Sequence, residues 1–246
     1  MASRTIENYL KQLWLLEHAS ACKATSGKGR RPKPWVSMGN LAGTVGVTAG
    51  TTTTMVKAMA DAGLARYAPR AGVQLTKSGE KLALHVLRRH RLVELFLVEI
   101  LGIDWGHAHE EAEELEHAIS ESVLNAIDRL LGQPLVDPHG DPIPSKGGTL
   151  VVQNTLNLAE MGGGCKATIL RILDQSREFL KFASQSGLVP RANITVKEIN
   201  VNSEAMQLHP EGHPPISIAL SVAAKFEVSS LLPEKPDKNT IRARRR

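Results

Sequence analysis

The sequence predicts a mainly α protein with small β parts, and three observations support this fold class. Two short helices with a tight turn, followed by a hairpin, occupy residues 36–76. A long stretch of helical periodicity comes next. Residues 154–228 then alternate strand-like runs, such as CKATILRIL, ANITVKEINV and ISIALSVAAKFEV, with a short helical piece around REFLKFASQSG. At 246 residues the chain is long enough for one large domain or two to three small ones, each with its own core.

The first predicted helix covers residues 3–21 and is amphipathic. Its apolar stripe consists of Ile6, Leu10, Leu13, Trp14 and Leu16. The following segment, 23–35, is rich in glycine, proline and positive charge, which predicts a flexible basic loop. Such a loop fits contact with nucleic acid as well as simple solvation, and the sequence does not decide between them.

Residues 36–63 predict a helix-turn-helix. Ser37 can cap its first helix, Gly46 supplies the turn, and Thr48 can cap the second helix. In this arrangement the second helix enters the major groove of DNA. The side chains expected to pack the two helices together are Leu41, Ala42, Val45, Val47, Met55, Val56 and Met59.

The run LARYAPRAGVQLTKSGEKLA, at 64–83, predicts strand, turn, strand and helix start. Residues 70–72 form the predicted turn, and Thr76 precedes the new helix. A hairpin with arginines directly after a recognition helix is a wing that lies along the DNA backbone. The predicted DNA-contacting residues of helix pair and wing are Ser37, Thr48, Gly50, Thr51, Thr53, Thr54, Lys57, Arg66 and Arg70.

Charge is strongly segregated along the chain. Residues 1–91 contain fifteen Lys or Arg and four Asp or Glu, whereas residues 92–128 contain ten Asp or Glu and no Lys or Arg. The basic part suits a phosphate backbone, because each neutralised phosphate releases counterions. The acidic part suits a cation.

The acidic part also contains histidines at helical spacing. His90 and Glu94 are four residues apart, and a second group comprises His109, Glu113, Glu116 and His117. On two neighbouring helices these side chains share a face and offer nitrogen and oxygen ligands to a divalent metal. The alternative is an ordinary solvated helix face. Interleaved carboxylates and imidazoles repel one another unless protons or a cation intervene, which favours the metal.

Several classes of protein are disfavoured. No apolar run approaches the roughly 20 residues of a membrane span, and no signal-peptide core is present, which predicts a cytoplasmic protein without a membrane partner. The two cysteines have no CxxC-type spacing, so a disulfide scaffold or a thiolate zinc site is not expected. The sequence contains no P-loop, GxSxG or dinucleotide fingerprint.

Four motifs in order, GLARYAPRAGVQLTKSGEKLA, RRHRLVELFL, HEEAEELEHAIS and DPHGDPIP, resemble the diphtheria toxin repressor family of iron- and manganese-dependent regulators. The resemblance covers residues 1–144. It implies that helices at about 77–101 and 107–131 form a dimerisation domain. It also implies that each subunit of a homodimer presents one recognition helix to half of a palindromic operator in double-stranded DNA.

The same resemblance implies two metal sites and a metal corepressor, Mn(II) or Fe(II). Glu113 favours these metals because it makes the site harder than a cysteine would. Lys11 departs from the pattern, since manganese-type members often have an acidic ligand there. The implied primary ligands are Asn8, Glu113, Glu116 and His117, and the implied ancillary ligands are His90, Glu94 and His109.

Beyond Pro144 the sequence resembles the SH3-like β-barrel of the same family. In iron-type members this barrel donates ancillary ligands; Asp174 matches one such position, and Arg171 occupies the other. The expected domains are a winged helix-turn-helix at 1–76, a helical metal-binding and dimerisation domain at 77–144, a linker at 145–153, an SH3-like domain at 154–230 and a disordered basic tail at 231–246.

Together these features predict a metal-dependent transcriptional repressor of metal-uptake genes rather than an enzyme. A metal-independent winged-helix regulator would leave the clustered ligands unexplained. A di-metal carboxylate enzyme would need two matching Glu-x-x-His helices, and it would leave the winged helix unexplained. The remaining histidines, interpreted as capping, surface or packing residues, are His18, His85, His107 and His139.

Overall fold

The computed structural model describes residues 3–22, 33–151 and 154–231. Residues 23–32 of the predicted basic loop and residues 232–246 of the predicted tail lie outside the described residues. The chain forms two compact units. The first comprises residues 1–93, 112–135 and 143–151, and the second comprises 94–111, 136–142 and 152–246.

The first unit contains the predicted winged helix-turn-helix. Its elements are α1 (Arg4–Cys22), α2 (Met38–Val45), α3 (Ala49–Asp61), β1 (Ala65–Ala68) and β2 (Gly72–Leu75). They share one buried apolar core, in which Leu10, Leu41 and Val56 are fully enclosed. Burying each such side chain stabilises the fold by roughly 1.5–3 kcal/mol relative to leaving it exposed.

The predicted caps of the helix pair are confirmed. The Ser37 side chain accepts a hydrogen bond from the Asn40 amide, and the Thr48 side chain accepts one from the Thr51 amide, each at 3.2 Å. Gly46 ends α2 with a left-handed φ of 75°. The prediction that Val47 packs between the helices is wrong: it is 38% exposed, because it lies in the turn beyond this cap.

The wing is also as predicted, and Gly72 is where it meets the rest of the domain. The strands β1 and β2 pair antiparallel, and Val36 bridges Val73 from outside the hairpin. Gly72 has a φ of 119°, and a Cβ there would lie 2.1 Å from the Val36 carbonyl oxygen. Only glycine allows the wing to approach the start of the helix pair this closely.

Three further helices follow: α4 (Lys77–Glu99), α5 (Trp105–Leu115) and α6 (Glu121–Leu130). The implied single helix at 107–131 is therefore wrong. The chain turns after Leu115, and Ser120 starts a new helix by accepting a hydrogen bond from the Val123 amide. Glu116 and His117 lie in this turn. Among the described helices, including the 23-residue α4, none is long and apolar enough to span a membrane.

The second unit contains a six-stranded antiparallel sheet, consistent with the predicted SH3-like domain. The strand order is β3-β8-β4-β5-β6-β7. Its core includes Ile169, Leu180, Val196, Leu208 and Phe226. The elements are β3 (Leu156–Asn157), a 3-10 turn (Leu158–Glu160), β4 (Lys166–Ile172), α7 (Arg177–Gln185), β5 (Asn193–Asn200), β6 (Ala205–Pro210), β7 (Ile216–Ala219), α8 (Leu220–Ala223) and β8 (Phe226–Leu231).

Two details of this sheet differ from the sequence-based expectation. The run ISIALSVAAKFEV was predicted as one strand, but α8 divides it into β7 and β8. The division is necessary because β7 lies at one edge of the sheet, whereas β8 lies between β3 and β4 near the other edge. Strand β6 was not predicted, and the predicted helix around REFLKFASQSG is confirmed as α7.

We expect Gly72→Ala to destabilise the winged helix. The substitution imposes backbone strain of about 1–3 kcal/mol and adds a clash with the Val36 carbonyl. Gly43→Ala is the matched control, since its site on α2 is exposed with nothing within 4 Å, and alanine should stabilise a helix there by about 0.5–1 kcal/mol. Urea unfolding of the two variants should give shifts of opposite sign, and equal shifts would contradict the close approach.

Candidate metal centres

The first centre lies in the first unit, where α1 meets the turn that follows α5. His117 is its middle residue. The ring Nδ1 lies 2.8 Å from Glu7 Oε2, and Nε2 lies 2.8 Å from Asn8 Oδ1. The same Nε2 is 3.2 Å from Glu116 Oε1. One imidazole thus contacts two residues of α1 and one residue of its own turn.

These contacts constrain what the centre can hold. The Glu7 carboxylate only accepts hydrogen bonds, so Nδ1 of His117 must carry the proton that it donates to Glu7. A neutral ring then has a lone pair on Nε2, and this lone pair faces the oxygens of Asn8 and Glu116. The lone pairs of His117 Nε2, Asn8 Oδ1 and Glu116 Oε1 repel one another, unless the ring takes up a second proton or a cation lies among the three atoms. Nitrogen and oxygen donors of this kind fit Mn(II) or Fe(II).

Glu116 is the most enclosed member of this centre, with 0% of its surface exposed. Its Oε2 accepts a hydrogen bond from His90 Nδ1 at 2.7 Å, and Lys11 Nζ lies 2.9 Å and 3.1 Å from its two oxygens. Burial alone would raise the pKa of Glu116, but the hydrogen bond and charge of His90 and the Lys11 ammonium outweigh it and hold the pKa below the ordinary value. The carboxylate is therefore ionised.

Lys11 also contacts Glu113, whose Oε1 lies 2.7 Å from Nζ. Only 2% of Lys11 is exposed, so its ammonium is enclosed together with the two carboxylates. The 3.4 Å contact between Nζ and His90 Nδ1 is not a hydrogen bond, because Nδ1 already donates its proton to Glu116. Of the four implied primary ligands, Asn8, Glu116 and His117 converge, while Glu113 points its Oε1 at Lys11.

A second cluster lies in the second unit and was not predicted. Glu94, Asp137 and His139 are all buried, and each offers one ligand atom within 4.8 Å of the others. Nε2 of His139 lies 3.3 Å from the Trp105 carbonyl oxygen, to which it donates. Nδ1 therefore has the lone pair, and this buried atom has no hydrogen-bond partner among the described residues.

The environment of His139 keeps its ring neutral. Burial lowers the pKa of His139, and the charges of Glu94 and Asp141 oppose this only in part. The next residue, Gly140, has a φ of 88° and packs against β4; a Cβ there would lie 1.9 Å from the Leu170 carbonyl oxygen. A neutral, enclosed imidazole with a free lone pair beside two carboxylates is a donor set that suits a divalent cation.

The implied ancillary residues divide between the two units. In the first unit His90 contacts Glu116. In the second unit His109 Nδ1 lies 2.9 Å from Glu94 Oε1. Asp174 is not in either cluster: its carboxylate binds Lys225 Nζ at 2.6 Å and the Ser176 amide at 3.0 Å.

The predicted DNA-contacting residues lie on one helix and the wing. Thr51, Thr54 and Lys57 on α3 are exposed, as are Arg66 and Arg70 in the hairpin, and Thr53 is half-buried. The hydroxyls of Thr53 and Thr54 donate to the carbonyls of Ala49 and Gly50, one helical turn earlier, and so share acceptors with the helix backbone. Ser37, Thr48 and Gly50 are exposed at the helix starts.

Three residues of the two centres escaped the sequence analysis. Glu7 precedes Asn8 by one position, and an acidic neighbour of a suspected ligand was the available signal. Asp137 and His139 lie within DPHGDPIP, a motif used only to identify the family. The interpretation of His139 as a capping, surface or packing histidine stays a prediction: its ring is buried and stacks on Trp105, and two carboxylates also lie beside it.

Comparison with known proteins agrees with this architecture. The family described as "Iron dependent repressor, metal binding and dimerisation domain" matches residues 76–145. The iron-dependent repressor IdeR of Mycobacterium tuberculosis is 33% identical over 147 residues, and the match covers 55% of this chain and 64% of that one. The chain thus spans just under two thirds of the length of this relative.

Two further comparisons cover their partners more fully. An uncharacterized HTH-type transcriptional regulator of Methanocaldococcus jannaschii is 32% identical over 125 residues, which is 51% of this chain and 90% of that one. A solved manganese-dependent transcriptional repressor in complex with manganese superimposes with a TM-score of 0.78 at 32% identity, covering 92% of this chain and 99% of that one. The chain therefore belongs to the family of iron-dependent repressors, which is also the diphtheria toxin repressor family.

Proposed function

We propose that the protein is a metal-dependent DNA-binding transcriptional repressor, with Mn(II) or Fe(II) as its corepressor, that controls genes of metal uptake and homeostasis. The observation that carries this proposal is that His117, in the turn at 116–118 (the acidic turn), contacts Glu7 and Asn8 on α1. A cation held by Asn8, Glu116 and His117 would fasten α1 to that turn. The names of the relatives, iron-dependent and manganese-dependent repressors, support the same function.

The route from the metal to DNA passes through α1. Tyr9, the neighbour of Asn8, is 1% exposed, and its hydroxyl lies 3.4 Å from the Thr52 hydroxyl on α3. Tyr9 thus connects α1 directly to the recognition helix α3. A metal that fixes α1 would fix α3, and the metal would bind more tightly to the state that is competent for DNA.

A homodimer would present two such helices to a palindromic operator. The matching family is described as a dimerisation domain, and within it Leu115, Val123 and Leu130 are exposed apolar side chains. A second copy of the chain is the occupant we propose for this apolar surface. The exposed Thr51, Thr54 and Lys57 would then enter the major groove in each half-site, with Arg66 and Arg70 on the phosphates.

The donor sets decide which metals fit. Both centres offer carboxylate oxygen and imidazole nitrogen, and neither contains a thiolate, since the described free cysteine, Cys165, is exposed elsewhere in the second unit. Oxygen and nitrogen suit Mn(II) and Fe(II). We propose that Glu94, Asp137 and His139 form the second, structural centre.

A metal-independent winged-helix regulator is a second candidate, and one observation favours it. The Lys11 ammonium joins α1 to Glu113 and Glu116 without any metal. Removal of metal by a chelator separates the two candidates, because a metal-independent regulator would bind its operator equally well before and after.

Operator binding should depend on metal. With a duplex selected from a random-sequence pool in Mn(II), we expect Mn(II) or Fe(II) to raise the affinity of the protein by about 5- to 150-fold, the usual size of such a coupling. In His117→Ala and Glu116→Ala this response should disappear, because the ligands that connect the turn to Asn8 are lost. Fluorescence anisotropy with each metal and with chelator measures both quantities.

His107→Ala is the control for these variants. His107 lies on α5, its side chain is 40% exposed, and its Nδ1 lies 3.8 Å from Asp104 Oδ1. Its variant should respond to metal like the wild type. Operator affinity that is the same with metal and with chelator in the wild type would contradict the proposed corepressor.

Glu7 should tune the first centre without binding the metal itself. Because its carboxylate holds the His117 proton on Nδ1, Glu7→Gln should weaken Mn(II) binding about 10- to 100-fold. Glu114→Gln is the control, since Glu114 is a surface residue paired with Arg4. Isothermal titration with Mn(II) gives both affinities, and equal values for the two variants would rule out this role for Glu7.

The second centre should account for a separate equivalent of metal. His139→Leu removes the unpartnered nitrogen, and we expect the number of Mn(II) ions bound per subunit to fall by one. His209→Leu, at an exposed position of β6, should bind as many ions as the wild type. Equilibrium dialysis followed by metal analysis gives the counts, and an unchanged count in His139→Leu would eliminate this centre.

A further inference from the structure

Lys11 is enclosed at the point where a cation would be expected to sit. Its side chain is 2% exposed, and its ammonium lies 2.7 Å from Glu113 Oε1 and 2.9 Å and 3.1 Å from the two oxygens of Glu116. A lysine is almost never buried this fully unless it is paired. The chain therefore brings its own positive charge into the acidic cluster.

The contacts of this ammonium match its chemistry. An ammonium has three N–H donors, and three carboxylate oxygens lie within hydrogen-bond distance of it. Each oxygen of Glu116 is also close to a histidine, Oε2 to His90 at 2.7 Å and Oε1 to His117 at 3.2 Å. Glu116 is thus shared between the lysine on one side and the Asn8 and His117 pair on the other.

We infer that the Lys11 ammonium serves as a tethered cation that takes the place of one divalent ion in this cluster, so that the first centre accepts a single ion, bounded by Asn8, Glu116 and His117. The inference rests on the proposed metal-dependent function and specifies how its first centre is filled. The ammonium cancels one of the two negative charges of Glu113 and Glu116, so a single negative charge of this pair remains. One divalent ion is attracted to that charge, whereas a second would meet the ammonium at close range.

The position of Lys11 on α1 gives this cation a second effect. Glu113 lies on α5 and Glu116 in the turn that follows, so the ammonium joins α1 to the acidic turn whether or not metal is present. A free ion would dissociate when metal is scarce. The Lys11 ammonium remains in place, so the metal adds only the contacts made by Asn8 and His117.

The count of manganese ions tests this inference. Full-length protein with His139→Leu, which lacks the second centre, is the background, and Mn(II) is the probe. We expect one ion per subunit in this background and two after the further change Lys11→Glu, which replaces the ammonium by a ligand. Two ions that share carboxylates couple magnetically, so the electron paramagnetic resonance spectrum of Mn(II) should change from that of an isolated ion to that of a pair.

Two further variants complete the test. Lys11→Gln removes the charge without crowding a further carboxylate into the cluster, and it should also admit a second, weaker ion even if Lys11→Glu fails to fold. Lys81→Glu makes the same charge change at an exposed position on α4 and should leave the count at one.

The outcomes separate this inference from the proposed function. One ion in the background and still one in folded Lys11→Gln and Lys11→Glu would overturn the tethered cation and leave the metal-dependent function standing. Ions bound by the Lys11 variants but not by the background would overturn both the single-ion centre and the metal-dependent function. No manganese in any variant would overturn both.

Discussion

The buried carboxylate of Glu116 is the group on which the contacts between α1, α4 and the turn after α5 depend. A charge with no exposed surface must be compensated by partners with good geometry, because the cost of removing it from water is several kcal/mol. Its partners come from three places in the sequence: Lys11 on α1, His90 on α4 and His117 beside it. The winged helix and the helical region are therefore joined through ionised groups, which a cation can strengthen or weaken.

The sequence predicted those features that depend on near neighbours in the chain. Ser37 and Thr48 cap their helices through amides three residues ahead, and the wing turn follows from residues 70–72, so no distant contact was needed to identify them. The break between α5 and α6 was missed although Ser120 caps α6 through an amide three residues ahead. The helical spacing of Glu113, Glu116 and His117 continues past the end of α5 and favoured a single helix.

The sequence identified residues of the candidate centres as possible metal ligands, but it did not show which residues contact one another. The acidic spacing identified Glu116 and His117, yet Glu7 acts on His117 across 110 positions of sequence, and no local pattern announces such a pair. His139 was set aside because Glu94 lies 45 positions earlier in the sequence, and no local spacing connects these two residues. Lys11 was noted as an unusual residue, but its burial against two carboxylates required the packed structure.

The tethered cation also bears on how strongly metal could control the protein. A ligand shifts an equilibrium only by the difference in its affinity for the two states. If Lys11 already holds part of α1 against the acidic turn, the metal-free protein retains some of the arrangement that binds DNA, and the difference available to the metal is smaller. The remaining difference comes from Asn8 and His117, whose Oδ1 and Nε2 lie 2.8 Å apart and can share either a proton or a cation. The metal therefore acts mainly through two side chains, Asn8 on α1 and His117 in the turn that follows α5.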